Sequence, residues 1–331
     1  MKVLVIGAGR MGTVRAEDLA TNPKVDQILI ANRSPQRAQE LATKIGATAL
    51  SWEDMATSGA DAVVVTVGTD AHDEVLGKVL PLGLPVLCEK PIALSLAGTR
   101  AAIGLADKYG SVIQVGFQRR FDSAISATKK AIDAGQVGTL YSIRMLSHDI
   151  APSPREFIAG SGGIFRDLHV HDFDLVSWLT GSPIKNVYAT KAVRHHFDYA
   201  DFDDADVSTI SLVTESGVQV SINGARHDAL GHDVRLEVFG SKDSLSAGLE
   251  GKTPLRTMEG DVPLNLSPYT SFMERFRDAY KQESDAFIEF AAGNTINPCP
   301  PQSALESLRV AAACEESIRT NLPVSVSSVD N

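Results

Sequence analysis

The feature that most constrains this chain stands at its start. Lys2-Val3-Leu4-Val5-Ile6 forms a short apolar run that meets Gly7-Ala8-Gly9-Arg10-Met11-Gly12. A strand delivered into G-x-G-x-x-G, with helix-forming Thr13 to Ala20 behind it, opens a dinucleotide-binding βαβ unit. The glycines permit a tight turn and let a pyrophosphate approach backbone N–H groups at a helix N-terminus. Gly7, Gly9, Arg10, Met11 and Gly12 are therefore cofactor-binding candidates. A second apolar run, Gln27 to Ala31, ends in Asn32-Arg33-Ser34. An NAD site usually carries Asp or Glu there, accepting from the ribose 2′-OH. Without a carboxylate to repel a 2′-phosphate, Arg33 and Ser34 suit NADP, which is mildly favoured over NAD. The other reading stacks Arg33 on adenine and leaves Asn32 to the ribose of NAD.

The alternation continues. Ala60 to Val67, Leu84 to Cys88 and Val112 to Val115 read as strands, and Ala71 to Leu80 and Leu94 to Tyr109 as helices between them. Continuous apolar strands suit a parallel sheet buried on both faces. Glu89-Lys90-Pro91 falls at a strand's carboxyl end, where such sheets bind ligands. Lys90 then faces the cofactor pocket, or else pairs with Glu89 on the surface. Pro91 constrains the backbone there, and a cis bond is possible.

At 331 residues the chain is long enough for two domains, and 44% hydrophobic with 22% charged residues is ordinary globular composition. A net charge of −10 disfavours nucleic acid and anionic membranes as partners. No apolar run is long enough to span a bilayer, and the N-terminal run is too short for a secretory signal. Cys88, Cys299 and Cys314 lack metal-ligand spacing, so a reduced, cytoplasmic protein is expected.

From about residue 121 the pattern changes. Phe121 to Ala134 reads as a helix. Tyr141 to Met145, Val187 to Ala192, Asp206 to Val213, Gly217 to Ala225 and Asp233 to Phe239 alternate like half-buried antiparallel strands. Ser216-Gly217 supplies a hairpin turn. Such a sheet leaves one face to be covered by helices or by another subunit, so a homo-oligomer, dimer or tetramer, is expected. Ser271 to Ala292 and Gln302 to Thr320 read as helices that return to the first domain. The acidic run Asp198 to Asp206 lacks EF-hand spacing and reads as a solvated loop.

Gly163 to Asp174 concentrates titratable groups in a segment of helical pattern. On a continuous helix Asp167 and His171 share one face, an arrangement able to make the imidazole a general base. His169 and His171 point roughly 200° apart on a helix, which disfavours a shared metal and leaves His169 a bystander. A buried structural ion pair stays open as an alternative.

Taken in order, these motifs resemble the glucose–fructose oxidoreductase/inositol dehydrogenase (Gfo/Idh/MocA) family over essentially the whole length. They are the glycine turn, Val63 to Thr66 followed by His72, Glu89-Lys90-Pro91, Gln114 to Phe121, Gly135 to Gly138, Gly162 to Asp167 with His171-Asp172, and Arg235 to Gly240. The resemblance implies an α/β fold: an N-terminal Rossmann domain with a doubly wound parallel sheet (1–120), then a substrate-binding and oligomerisation domain (121–331) with a large open, mostly antiparallel sheet. It implies catalytic roles for Lys90, Asp167 and His171 on a sugar, inositol or related polyol, and adds Thr66, His72, Glu89 and Lys90 to the cofactor set. Arg119 is either a substrate contact or part of a domain-interface ion pair. The family often has G-Y-D near substrate. This chain has Gly231-His232-Asp233, which makes His232 a weaker substrate candidate and leaves the substrate open. A redox-neutral, NAD-dependent sugar-processing enzyme and a non-catalytic NAD(P)-binding regulator share the scaffold. The retained Lys90, Asp167 and His171 argue against the regulator.

Overall fold

The computed structural model describes residues 1–256 and 267–330. They form two compact units, 1–121 with 278–305, and 122–277 with 306–331. The first unit thus takes in a later stretch of chain besides the N-terminal domain bounded at 120.

In the first unit, β1 (Lys2–Ile6), β2 (Gln27–Ala31), β3 (Thr48–Leu50), β4 (Ala62–Val65), β5 (Pro85–Glu89) and β6 (Val112–Gly116) form one sheet in the order β3-β2-β1-β4-β5-β6. Every pair is parallel. The helices are α1 (Arg10–Ala20), α2 (Pro35–Ile45), α3 (His72–Val79) and α4 (Leu96–Tyr109). Strand residues of opposite parity feed two separate apolar clusters, one on each face. Val3, Val5, Ile28 and Ile30 pack with Ala16, Leu19 and Leu41, while Leu4, Ile6 and Val63 pack with Val75, Leu76 and Ala102. This is the double-sided burial that makes such strands continuously apolar.

The second unit begins with α5 (Ser123–Asp133), β7 (Leu140–His148), α6 (Arg155–Ser161), α7 (Ile164–Asp167) and α8 (Val170–Thr180). It continues through β8 (Ile184–Ala192), β9 (Val207–Thr214), β10 (Gln219–Ala225), β11 (Asp233–Gly240), β12 (Ser244–Ala247) and α9 (Phe272–Arg275). Of the later elements, α10 (Arg277–Ala291) belongs almost wholly to the first unit, as expected, whereas α11 (Pro301–Thr320) lies mostly in the second and packs on its sheet instead of returning to the first domain, and β13 (Val324–Ser325) joins that sheet. Seven strands pair in the order β12-β11-β7-β10-β9-β8-β13. All neighbours are antiparallel except β7 and β10, so the sheet is mixed. Gly217, at φ 89°, makes the β9–β10 turn with Ser216. Inward-facing Ile143, Ile210, Leu212, Val220 and Val238 pack against Leu175 and Leu179 of α8 and Val310 and Cys314 of α11. Outward-facing Arg144, Thr209, Ser211, Ser221 and Asn223 are exposed.

The acidic run is not uniformly solvated. Asp204 and Asp206 are buried. Asp204 accepts from the Ile164 N–H and so caps α7. Asp206 accepts from the backbone N–H groups of Arg194, His195 and His196. Burial opposes its charge, but those three donors outweigh it and hold the carboxyl below its ordinary value.

Candidate active site

The glycine turn is closed by backbone packing. A Cβ on Gly12 would lie 1.9 Å from the Gly7 carbonyl oxygen, and one on Gly7, at φ +112°, would lie 2.8 Å from Thr66. Only glycine fits either place. Thr66 Oγ1 donates to the carbonyl of Ile6 at 3.0 Å and reinforces the turn. Helix α1 starts after Gly9 with no side-chain cap, and a helix N-terminus of this kind suits an anion such as a pyrophosphate. A cleft of about 250 Å³ opens here, lined among others by Gly7, Gly9, Asn32, Arg33, Arg37 and Thr66. These residues fit a dinucleotide. Asn32 spends its side chain on backbone: Oδ1 accepts from Ala8 N–H at 3.1 Å, and Nδ2 donates to Ser34 O at 3.1 Å. Ser34 caps α2, accepting weakly from the Arg37 N–H at 3.5 Å. Arg10 and Met11 open α1.

At the end of β5, the Lys90–Pro91 bond is cis and Lys90 is half-buried. Glu89 accepts from Arg15 Nε at 2.9 Å. Arg15 also pairs with Glu283, donates to Tyr280 O and Ser284 Oγ, and lies 5.1 Å from the Tyr280 ring centroid. Burial works against the Arg15 charge, but Glu283 and Glu89 raise its pKa well above the ordinary value. His72, a cofactor candidate from sequence, is buried with its ring on backbone. Nδ1 is 2.9 Å from Pro91 O and Nε2 is 3.2 Å from Val67 O. It holds the Pro91 turn in place and does not line the cleft. Arg119 is buried in the turn after β6.

The Asp–His segment departs from expectation: it is two helices. Helix α7 ends at Asp167 and α8 begins at Val170, with Leu168 and His169 as a turn. His169 is fully buried at that turn. Its Nδ1–H donates to Asp172 at 2.7 Å, its Nε2 lies 2.7 Å from Ser208 Oγ, and Ser147 donates to Asp172 at 2.7 Å. A Cβ on Gly224 would lie 2.3 Å from this ring, so the sheet leaves a place for it. His169 is thus the anchor of the segment, where sequence gave it no role. Its Ser–His–Asp sequence of contacts resembles a hydrolase triad, but burial denies it a substrate.

Asp167 accepts from Arg226 Nη1 at 2.7 Å. The same nitrogen lies 3.7 Å from Asp149, and Asp149 lies 3.6 Å from His232 Nδ1. Arg226 is 2% exposed, while Asp167 and Asp149 are 17% and 25% exposed. Burial works against the guanidinium charge, but the Asp167 and Asp149 carboxylates more than offset it and raise its pKa. His232 is buried edge-on to Phe272 and Phe276. His171 is buried on the first turn of α8. Among the described residues no group of His, Cys, Asp and Glu is arranged to hold a metal.

Comparison with known proteins settles the family. Residues 1–117 match the model described as an oxidoreductase family with an NAD-binding Rossmann fold, and residues 125–246 match the GFO/IDH/MocA C-terminal domain. The chain is 35% identical over 322 residues to the myo-inositol dehydrogenase Hyg17 of Streptomyces leeuwenhoekii, covering 96% of this chain and 97% of that one. The chain belongs to the Gfo/Idh/MocA oxidoreductase family. Among solved structures, a myo-inositol dehydrogenase from Corynebacterium glutamicum superposes with a TM-score of 0.89 at 32% identity, covering 98% of each chain. A scyllo-inositol dehydrogenase from Lactobacillus casei with bound NAD(H) and scyllo-inositol gives 0.88 at 25% identity, covering 99% of each.

Arg226 and Asp149 stand beside Asp167 and His232 in the candidate site, and sequence reasoning did not pick them out. Arg226 stands 59 residues from Asp167. The one available signal was an arginine closing the apolar strand β10, where a buried charge requires a partner. Arg37 was missed as well, although it lies on the first turn of α2, four residues beyond Arg33, and shares its cleft.

Proposed function

We propose that the chain oxidises a secondary hydroxyl of an inositol or closely related polyol with NAD(P), and that Lys90, Asp167 and His171 carry the chemistry. Bound nicotinamide supplies the hydride acceptor at C4. His171 takes the hydroxyl proton, a role worth about 10²- to 10⁴-fold in rate. Lys90 donates to the reacting oxygen and stabilises the developing alkoxide. Asp167, fixed by Arg226, stabilises the imidazolium that forms on His171. Arg119 and His232, buried like His171, are the further candidates for contacting substrate.

One observation carries this reading: a partly exposed aspartate held by a buried arginine, four residues from a buried histidine, in a chain with an intact dinucleotide turn. The full-length similarity to proteins named inositol dehydrogenases supports it. NADP is mildly favoured, because Arg33 and Arg37 both line the cleft and no carboxylate ends β2. The exposed face of the second sheet supports assembly into a dimer or tetramer, and three buried free thiols suit a reducing cytoplasm. No helix among the described residues is long and apolar enough to cross a membrane.

The test is a cofactor-reduction screen over inositols and aldoses with NAD and NADP in parallel, using wild type, Lys90→Ala and His171→Ala. Polyol-dependent reduction that falls about 10²-fold or more in both variants is expected. Unchanged turnover in both would sink the assignment.

A further inference from the structure

The cleft beside the glycine turn has a wall that the dinucleotide pattern does not account for. Trp52, on the segment after β3, and Arg33, after β2, both line it. The Arg33 guanidinium carbon lies 5.4 Å from the Trp52 ring centroid. Glu74, on the first turn of α3, ties this wall together. It ion-pairs with Arg33, accepts from Trp52 Nε1 at 3.2 Å, and accepts from Lys78 Nζ at 2.8 Å. Lys78 Nζ lies 5.4 Å from the same indole centroid. One carboxylate therefore gathers two cations against one aromatic ring, on an element separate from the strand end that usually decides cofactor choice.

A cofactor 2′-phosphate is a dianion that binds best through both arms of a guanidinium. Arg33 offers such a fork, but Glu74 already occupies one of its terminal nitrogens. Hydrogen bonds from Lys78, Arg33 and Trp52 hold the Glu74 carboxyl down at about 2, so the competing charge is present throughout the working pH range. A cofactor with a free 2′-hydroxyl does not contend with that charge for Arg33.

We propose that Glu74 is a specificity-determining residue, setting the balance between cofactors with and without a 2′-phosphate by competing for Arg33. This rests on the cofactor reading above and extends it, because it makes the preference tunable from α3. The pair is half-exposed, so the effect is a modest multiple rather than an on–off switch.

The test measures binding alone, without any polyol. NADPH and NADH are titrated by calorimetry into wild type, Glu74→Gln, Arg33→Gln and the double variant. Glu74→Gln is expected to tighten NADPH about fivefold and leave NADH nearly unchanged. In the Arg33→Gln background the Glu74→Gln step loses that effect. An unchanged NADPH-to-NADH ratio in Glu74→Gln overturns the inference, and so does an equal shift without Arg33. Wild type that binds neither cofactor would overturn the cofactor reading itself, which keeps the two failures distinct. Exposed Glu74 and Arg33 are replaced by neutral side chains of similar size, and melting curves check that all four proteins are folded.

Discussion

Arg15 in the first unit and Arg226 in the second are each buried between two carboxylates. In the first, Arg15 faces Glu89 and Glu283, which are 13% and 0% exposed, and tyrosine and serine close the rest of the shell. In the second, Arg226 faces Asp167 and Asp149, which are 17% and 25% exposed. Both guanidiniums are out of water. The difference lies in the carboxylates: Arg226 leaves both its partners partly open to solvent, whereas Arg15 seals one of its two completely. A sealed ion cluster serves the fold, and the partly open pair is the one to which the proposed function gives a part in chemistry. Buried pairs are weak stabilisers in total, but removing one partner strands the other.

That contrast sets the order of expected effects. The largest falls on stability. Arg15→Met strands Glu283 and is expected to cost about 3–5 kcal/mol, read as a fall in the denaturant midpoint. Adding Glu283→Leu should recover part of it, and no recovery would mean that the cluster is not the source of the loss. Next, Arg226→Met is expected to lower kcat about 10²-fold by letting Asp167 move, with a smaller change in KM. Arg226→Lys keeps the charge but loses the fork and should fall between the two. Equal losses of stability and no loss of kcat in Arg226→Met would erase the distinction between the two arginines.

Smaller effects sharpen it. Asp206 is held below its ordinary value in the folded state, so its contribution is complete above the ordinary carboxylate value of 3.8. It is lost as pH falls through the lower folded value. Wild type should therefore exceed Asp206→Asn in stability at neutral pH, and melting curves should converge in acid. The smallest effect belongs to Ser208→Ala, which takes one hydrogen bond from His169 and should cost about 1 kcal/mol in urea unfolding.

The same two regions explain how much could be read from sequence. The parallel sheet and its cofactor turn were legible because their signals are local. Ile6, Gly7 and Gly12 lie within one strand–turn–helix, and apolar runs report burial directly. The sites around Arg226 and His169 were not, since their partners come from distant strands: Asp167 is 59 residues from Arg226, and Ser208 is 39 from His169. Helical periodicity passed straight through Leu168 and His169, because the turn there is imposed by the sheet that receives the histidine. Alternation located β7 and β10 without revealing that they run parallel. His72 illustrates a different limit. A histidine in a cofactor motif invites a ligand role, and only the structure shows its ring set against the backbone carbonyls of Val67, Pro91 and Ile92.

The central claim is hydride transfer from a polyol carbon with the proton taken by His171. The most direct measurement follows deuterium from ring-deuterated inositol into the nicotinamide, in wild type and in His171→Ala. Label at C4 in wild type, with the transfer rate falling about 10²-fold or more in the variant, is the predicted result. Reduced cofactor without label, or equal transfer in both proteins, would contradict it.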